Sequence, residues 1–139
     1  MRRCRGDSGA ATTELVIITP AFFGLVLFIV HVGLWLHAVH VASTAAQEAA
    51  AVARAHGGTE AAAEARGRDF LGSTSMRLWQ QAPAVDVTYV TDANGLQEAR
   101  AEVRGTVQGV FPELNLRVVE VSQGPVERFR APGEEQNAG

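Results

Sequence analysis

The chain has 139 residues, 47% hydrophobic and 19% charged, with a formal net charge of −3. All twelve basic residues are Arg, and the acidic balance argues against a nucleic-acid partner, which calls for excess positive charge to neutralise phosphates. The single cysteine, Cys4, excludes an internal disulfide and, with no CxxC pair, a structural zinc site.

Charge is spread unevenly along the chain. Residues 15–47 contain no Asp, Glu, Lys or Arg, and residues 15–36, LVIITPAFFGLVLFIVHVGLWL, form an almost wholly apolar run of 22. As a helix that run reaches about 33 Å, enough to cross a hydrocarbon core about 30 Å thick. The remainder is too short and too polar to enclose it on every side, so a membrane span is expected. Arg2, Arg3 and Arg5 precede the run, and the next Arg is Arg54. The positive-inside bias then puts the N-terminus in the cytoplasm and the rest of the chain outside. Residues 1–9 carry a net +2 and the rest −5, which suits a basic stub inside and an acidic domain outside. A signal h-region is typically about 7–15 residues, shorter than this run. Small residues around Val41, Ala42 and Ser43 nevertheless keep a cleaved, secreted alternative open. Cys4 has no apolar run before it and so is no lipoprotein acceptor; in a reducing cytosol it has no role.

Between the arginines and the run lies RGDSGAATTEL. Gly9 is followed by four small or hydroxyl residues, and then by Glu14 at the edge of the apolar stretch. A carboxylate at hydrocarbon depth is costly, so a compensating charge is expected. A cut between Gly9 and Ala10 would create an ammonium at Ala10, one helical turn from Glu14 on the same face. That pair closes within one subunit or across to a neighbour's helix. An equal reading of the same residues makes Glu14 an interfacial acid at the positive end of the helix dipole, with Thr13 as N-cap.

The segment Gly9-Ala10-Ala11-Thr12-Thr13-Glu14, ahead of a long apolar helix, resembles the processing site of type IV prepilins. The wider pattern GAATTELVIITP, with Pro20 six residues after Glu14, is similar to the TadE-like proteins, pilin-like components of the Tad (tight adherence) machinery that builds Flp pili. The Ala-rich stalk and the tail around PVERFRAP, residues 125–132, also resemble the small TadE-like external domain. The resemblance implies a membrane prepilin peptidase that cuts after Gly9 on the cytoplasmic face, leaving residues 1–9 as a leader and Glu14 as the fifth mature residue. It further implies a minor pilin or pseudopilin that works with other pilin-like Tad subunits in assembling or anchoring an Flp-type pilus. In one departure, Leu15 stands where related Flp pilins tend to carry an aromatic residue.

Beyond the run, Ala38, Ala42, Ala46, Ala49 and Ala53 recur at three- and four-residue intervals. Such a ridge suits close packing on a sister helix or partner pilin, or simply reflects alanine's helix propensity. Gly57-Gly58 is a natural terminator, so one helix is expected over residues 10–56, about 70 Å long. Pro20 should bend it, since it removes a backbone bond and crowds the preceding turn. A second helix is expected from Thr59, with Glu64 and Arg68 as an i,i+4 pair. Residues 72–83 carry no clear pattern. VDVTYVT, residues 85–91, alternates, and Asp92-Ala93-Asn94-Gly95 is a hairpin turn. In the longer strand that follows, Ala99, Ala101, Val103 and Val107 share one face, and Arg100, Glu102, Arg104, Thr106 and Gln108 share the other. Residues 116–121 offer a third strand, and residues 131–139 a frayed polar tail. The expected fold is α+β, membrane-anchored and pilin-like. A transmembrane helix extends into an external domain, residues 59–130, whose antiparallel sheet of about three strands uses that helix as part of its core.

Other signals weigh less. His31 lies inside the run, where an ionisable side chain normally faces protein, and reads as a helix-packing contact. Trp35 fits an interfacial aromatic belt. His37 and His40 are three apart but lack a third ligand nearby, which favours interfacial residues over a metal pair. Arg5-Gly6-Asp7 spells an adhesion tripeptide, but on the cytoplasmic side. No serine sits in a glycine elbow, no carboxylates pair, and no glycine loop cradles phosphate. The expectation is therefore no catalytic residue, no metal, no cofactor, no small-molecule substrate and no enzymatic activity. The alternative function is a plain single-span anchor that displays a binding domain and has no pilus role.

Overall fold

The computed structural model describes residues 8–75, 77–111 and 113–127, and of residues 8–13 and 75 the backbone alone. The leader residues Arg2, Arg3, Cys4 and Arg5, the Arg5-Gly6-Asp7 tripeptide and the tail over residues 131–139 lie outside the described residues. So does the end of PVERFRAP.

Helix α1 (Ser8–Arg54) is 47 residues long, about 70 Å, and continues through Pro20 without interruption. Pro20 offers no N–H to the preceding turn, and next to that gap the Thr19 hydroxyl donates to the Leu15 carbonyl at 2.7 Å. The helix begins at Ser8 rather than residue 10 and stops at Arg54 rather than residue 56. The stop is set by Gly57, whose φ of 77° ends the helical course, and Gly58 N–H then bonds the Ala55 carbonyl at 2.9 Å.

Helix α2 (Glu60–Ser75) is capped by Thr59, whose hydroxyl accepts the Ala62 N–H at 3.2 Å. The expected Glu64–Arg68 pair forms at 2.5 Å. Residues 72–75, patternless in sequence, are the last turn of α2, and Trp79 bridges to Val107. Strands β1 (Ala84–Thr91), β2 (Gln97–Val107) and β3 (Leu116–Pro125) form an antiparallel sheet in the order β1-β2-β3. The third strand runs past the expected residue 121, and Gly124 faces Ala99 of β2 across the register.

The β1–β2 hairpin turns on Asp92. Its Oδ1 accepts the backbone N–H of both Asn94 and Leu96 at 2.8 Å, while Gly95 takes the positive φ of 78° that the turn requires. The Leu96 bond above all, helped by those from Asn94, holds the Asp92 carboxyl below the usual carboxylate range. A depressed carboxyl adds stability above its unfolded-state pKa and loses it as pH falls through the folded value. Protection of the Leu96 amide against hydrogen exchange should therefore fall in that acid window. Asp92→Ala should lose the protection at every pH, and an acid response surviving in that variant would assign it to another group.

Both helices pack on one face of the sheet. Val85, Val87, Ala99, Ala101, Val103, Val107 and Val118 point inward and are buried, as the alternation in β2 requires. Against them lie Ala38, Ala42, Ala45, Ala46, Ala49, Ala50 and Ala53 of α1, all buried. The alanine ridge is therefore covered by its own chain and is not open to a sister helix or partner pilin. Small side chains allow the closest approach where three elements meet. A Cβ added at Gly67 of α2 would lie 2.9 Å from Val85 of β1 and 3.3 Å from the Ala49 Cβ of α1.

The elements run up and down along α1. At the far end Tyr89 places its hydroxyl 2.9 Å from the Ala53 carbonyl and 3.0 Å from that of Gly58. There too the Glu127 N–H bonds the Arg54 carbonyl at 2.9 Å. At the near end the loop between β2 and β3 returns to α1 at His31.

Candidate functional site

The N-terminal part of α1 has no cover. Every residue from 14 to 30 is exposed, on all sides of the helix; Ile17, for example, is 68% exposed. Apolar side chains bared around a whole helix have no stable place in water. This helix is long and apolar enough to cross a membrane, alone in that among the described residues. A single N-terminal apolar helix followed by a folded polar domain fits a single-pass membrane protein.

The segment that resembles a prepilin processing site sits at the head of this stem. Gly9 and Ala10 lie in the first turn of α1, and Glu14 one turn on is exposed, with no ion pair among the described residues. Gly9, Ala10, Glu14 and Pro20 thus share one continuous helix. His31 is not brought to them: seventeen residues of helix separate it from Glu14, about 25 Å.

His31 marks the point where exposure ends. It is 2% exposed, and its neighbour is not another helix but the β2–β3 loop of its own chain. The Nδ1 atom accepts the Val110 backbone N–H at 3.1 Å, and the ring lies against Phe111 with centroids 5.6 Å apart. Accepting at Nδ1 places the ring proton on Nε2, which is buried without a partner among the described residues. A side chain at Gly109 would overlap the imidazole, so only glycine leaves room for it there. Sequence reading missed Gly109, Val110 and Phe111. The available signal was the apolar Val110-Phe111 pair breaking the alternation just beyond a strand. Trp35, one turn above His31, is half-buried against the core.

The other candidates stay apart. His37 and His40 are both exposed, and no group of three or more His, Cys, Asp or Glu gathers among the described residues. On the outer face of the sheet Arg104 donates to Glu102 at 2.7 Å and reaches Asp86 at 3.3 Å, with Arg100 also 3.5 Å from Glu102. The Arg104 hydrogen bond foremost holds the Glu102 carboxyl below its ordinary value. The cluster is a cross-strand charge pattern on a wet sheet face. Two open clefts of about 370 and 330 Å³ flank residues 80–83, one bordered by Arg104 and Arg117 and the other by Trp79 and Leu71.

A family model described as TadE-like protein matches residues 9–51. No curated protein and no solved structure matches the chain. The match begins at Gly9, runs through Glu14, Pro20 and His31, and ends within the alanine ridge; the sheet and the PVERFRAP segment lie beyond it. Residues 9–51, the bare stem together with most of its packed continuation, are accordingly what is similar to the TadE-like family.

Proposed function

We propose that the chain is a pilin-like minor subunit of a Tad machinery. It is inserted with its N-terminus in the cytoplasm, trimmed between Gly9 and Ala10 by a prepilin peptidase, and used with other pilin-like Tad subunits to assemble or anchor an Flp-type pilus. Its role is structural and not enzymatic. One observation carries this reading: a single unbroken helix is bare over residues 14–30 and packed into its own domain from residue 31 onward. Such a subunit can be held in lipid by its stem and handed, stem first, to an assembly in which neighbouring stems replace the lipid. The position of Glu14, at the head of that stem and without an ion pair among the described residues, suits it to meet the new ammonium of Ala10 or that of a neighbour.

Secretion after a cut near residue 43 has a specific observation against it. Ala42 is fully buried beneath the sheet, so that cut would strip away the first turns of α1 on which the domain packs, His31 and Ala38 included. The plain-anchor alternative differs in its predictions for Gly9 and Glu14.

Intact mass of the protein extracted from membranes tests the processing step. A mature chain beginning at Ala10 is expected, and a chain retaining residue 1 when expressed with an active prepilin peptidase removes that step. Glu14→Ala should leave membrane insertion unchanged and sharply reduce pilus formation, measured by counting pili and by carbonate extraction of membranes. Normal piliation in that variant would make the carboxylate merely interfacial.

A further inference from the structure

We infer that the β2–β3 loop is a second lipid-contacting element, with Val110, Phe111 and Leu114 seated in the outer interface of the same bilayer that the stem crosses. The inference rests on the membrane-span part of the reading above and does not depend on any role in a pilus.

The first argument is length. From Glu14 to His31 the helix rises about 25 Å, whereas the hydrocarbon core is about 30 Å thick. A carboxylate resists hydrocarbon, which keeps Glu14 at the inner rim. The bare stem therefore ends before the lipid does, and the last few ångströms are spanned by residues that already carry the domain. The element attached at that height is the β2–β3 loop, through the Val110 N–H bond to His31 and the Phe111 ring contact.

The second argument is backbone chemistry. Non-helical backbone at that depth is tolerated only where its polar groups are satisfied by protein. Three loop N–H groups have such partners: Gln108 N–H bonds the Leu78 carbonyl at 2.8 Å, Val110 N–H bonds His31, and Leu114 N–H bonds the Phe111 carbonyl at 3.1 Å. The exposed Glu113 carboxylate between Phe111 and Leu114 keeps the loop at headgroup level, short of the hydrocarbon. A histidine inside an apolar run thereby acquires a reason. It is the acceptor for a loop N–H in a place where water is scarce.

The third argument is what the membrane-facing end of the domain presents to the bilayer. Facing it, the loop exposes Val110 at 39% and Leu114 at 47%. Trp35 at the adjoining turn is half-buried at the level where interfacial aromatics collect. With the loop in the interface, the domain is held at two points and cannot swing freely about its stem.

The test uses the full chain in a Cys4→Ser background, reconstituted in phosphatidylcholine nanodiscs. A polarity-sensitive fluorophore is attached singly at Val110→Cys, Leu114→Cys, Ala93→Cys or Val26→Cys. Nitroxide lipids labelled at the headgroup, high on the acyl chain or near its end act as quenchers. Probes at 110 and 114 should lose most of their fluorescence to the shallow nitroxides, the probe at 26 to the deep one, and the probe at 93 to none. Deep quenching at 26 with 110 and 114 no more quenched than 93 overturns the inference and leaves the span standing. Blue-shifted emission at 110 and 114 without quenching means that a protein partner covers the loop, which also overturns it. No quenching at 26 removes the span and the inference together.

Discussion

Ala49→Leu should destabilise the protein by about 3 kcal/mol, the upper end of what overpacking a tight core commonly does. Ala49 is fully buried where α1, α2 and β1 converge, and the Gly67 backbone and Val85 leave no volume for three extra carbons. Packed interiors do not absorb such an insertion, because neighbours already sit in van der Waals contact. Either α2 lifts off α1 or the sheet slides, and in both cases buried valines of β1 and β2 meet water. The control is Ala51→Leu, at an exposed position of the same helix stretch, which keeps helix propensity and added volume alike and should be nearly neutral. Urea unfolding in detergent micelles, followed by tryptophan emission, reads the difference. The pair of variants also separates two uses of the alanine ridge. If the ridge served a partner helix, Ala49→Leu would weaken association and leave the isolated subunit's stability near that of Ala51→Leu. A subunit as stable as the control would therefore overturn the packing described here.

What could be read from the residues, and what could not, follows the range of the forces involved. The stem is visible because lipid tolerance is a one-dimensional property: the lack of charge over residues 15–47 is enough. The inward face of β2 is visible because the period of a strand is two and Ala99, Ala101, Val103 and Val107 obey it. The hairpin is visible because Asn94-Gly95 has few other uses between alternating runs. Local signals fail where a distant residue decides. Ser122-Gln123-Gly124-Pro125 looks like a turn, yet it is strand because it pairs with β2, and the Arg54 guanidinium lies so close that a Cβ at Gly124 would be 2.5 Å from it. Gly72, Ser73 and Thr74 are weak helix formers, yet they extend α2, helped by the Ser73 hydroxyl on the Phe70 carbonyl at 3.0 Å. Periodicity showed that the alanine ridge wants close contact but could not say with what, since small residues fit a helix or a sheet equally. The segment from Gly9 to Glu14, by contrast, is a wholly local pattern, and Gly9, Ala10 and Glu14 stand on one helix.

His31 is the extreme case of a residue explained only by a distant one, and a double-mutant cycle can isolate its contact. Gly109 does not have positive φ, so its backbone would accept alanine; the three nearest obstacles are all atoms of the imidazole. Gly109→Ala should then destabilise by about 2 kcal/mol, because the new methyl must expel the ring or lift the loop. His31→Ala should destabilise by about 2 kcal/mol as well, since it strands the Val110 N–H without its acceptor at a poorly hydrated site. Together they should not add. With the ring gone, the nearest obstacles to a methyl at 109 are removed, and the double variant should be only slightly worse than His31→Ala. The coupling is expected to be about 1–2 kcal/mol, within the usual range for residues in direct contact. Denaturant unfolding of the four proteins in the same micelles measures it. Strict additivity would mean that the ring and the loop do not touch, and the loop would then have no fixed height on the stem.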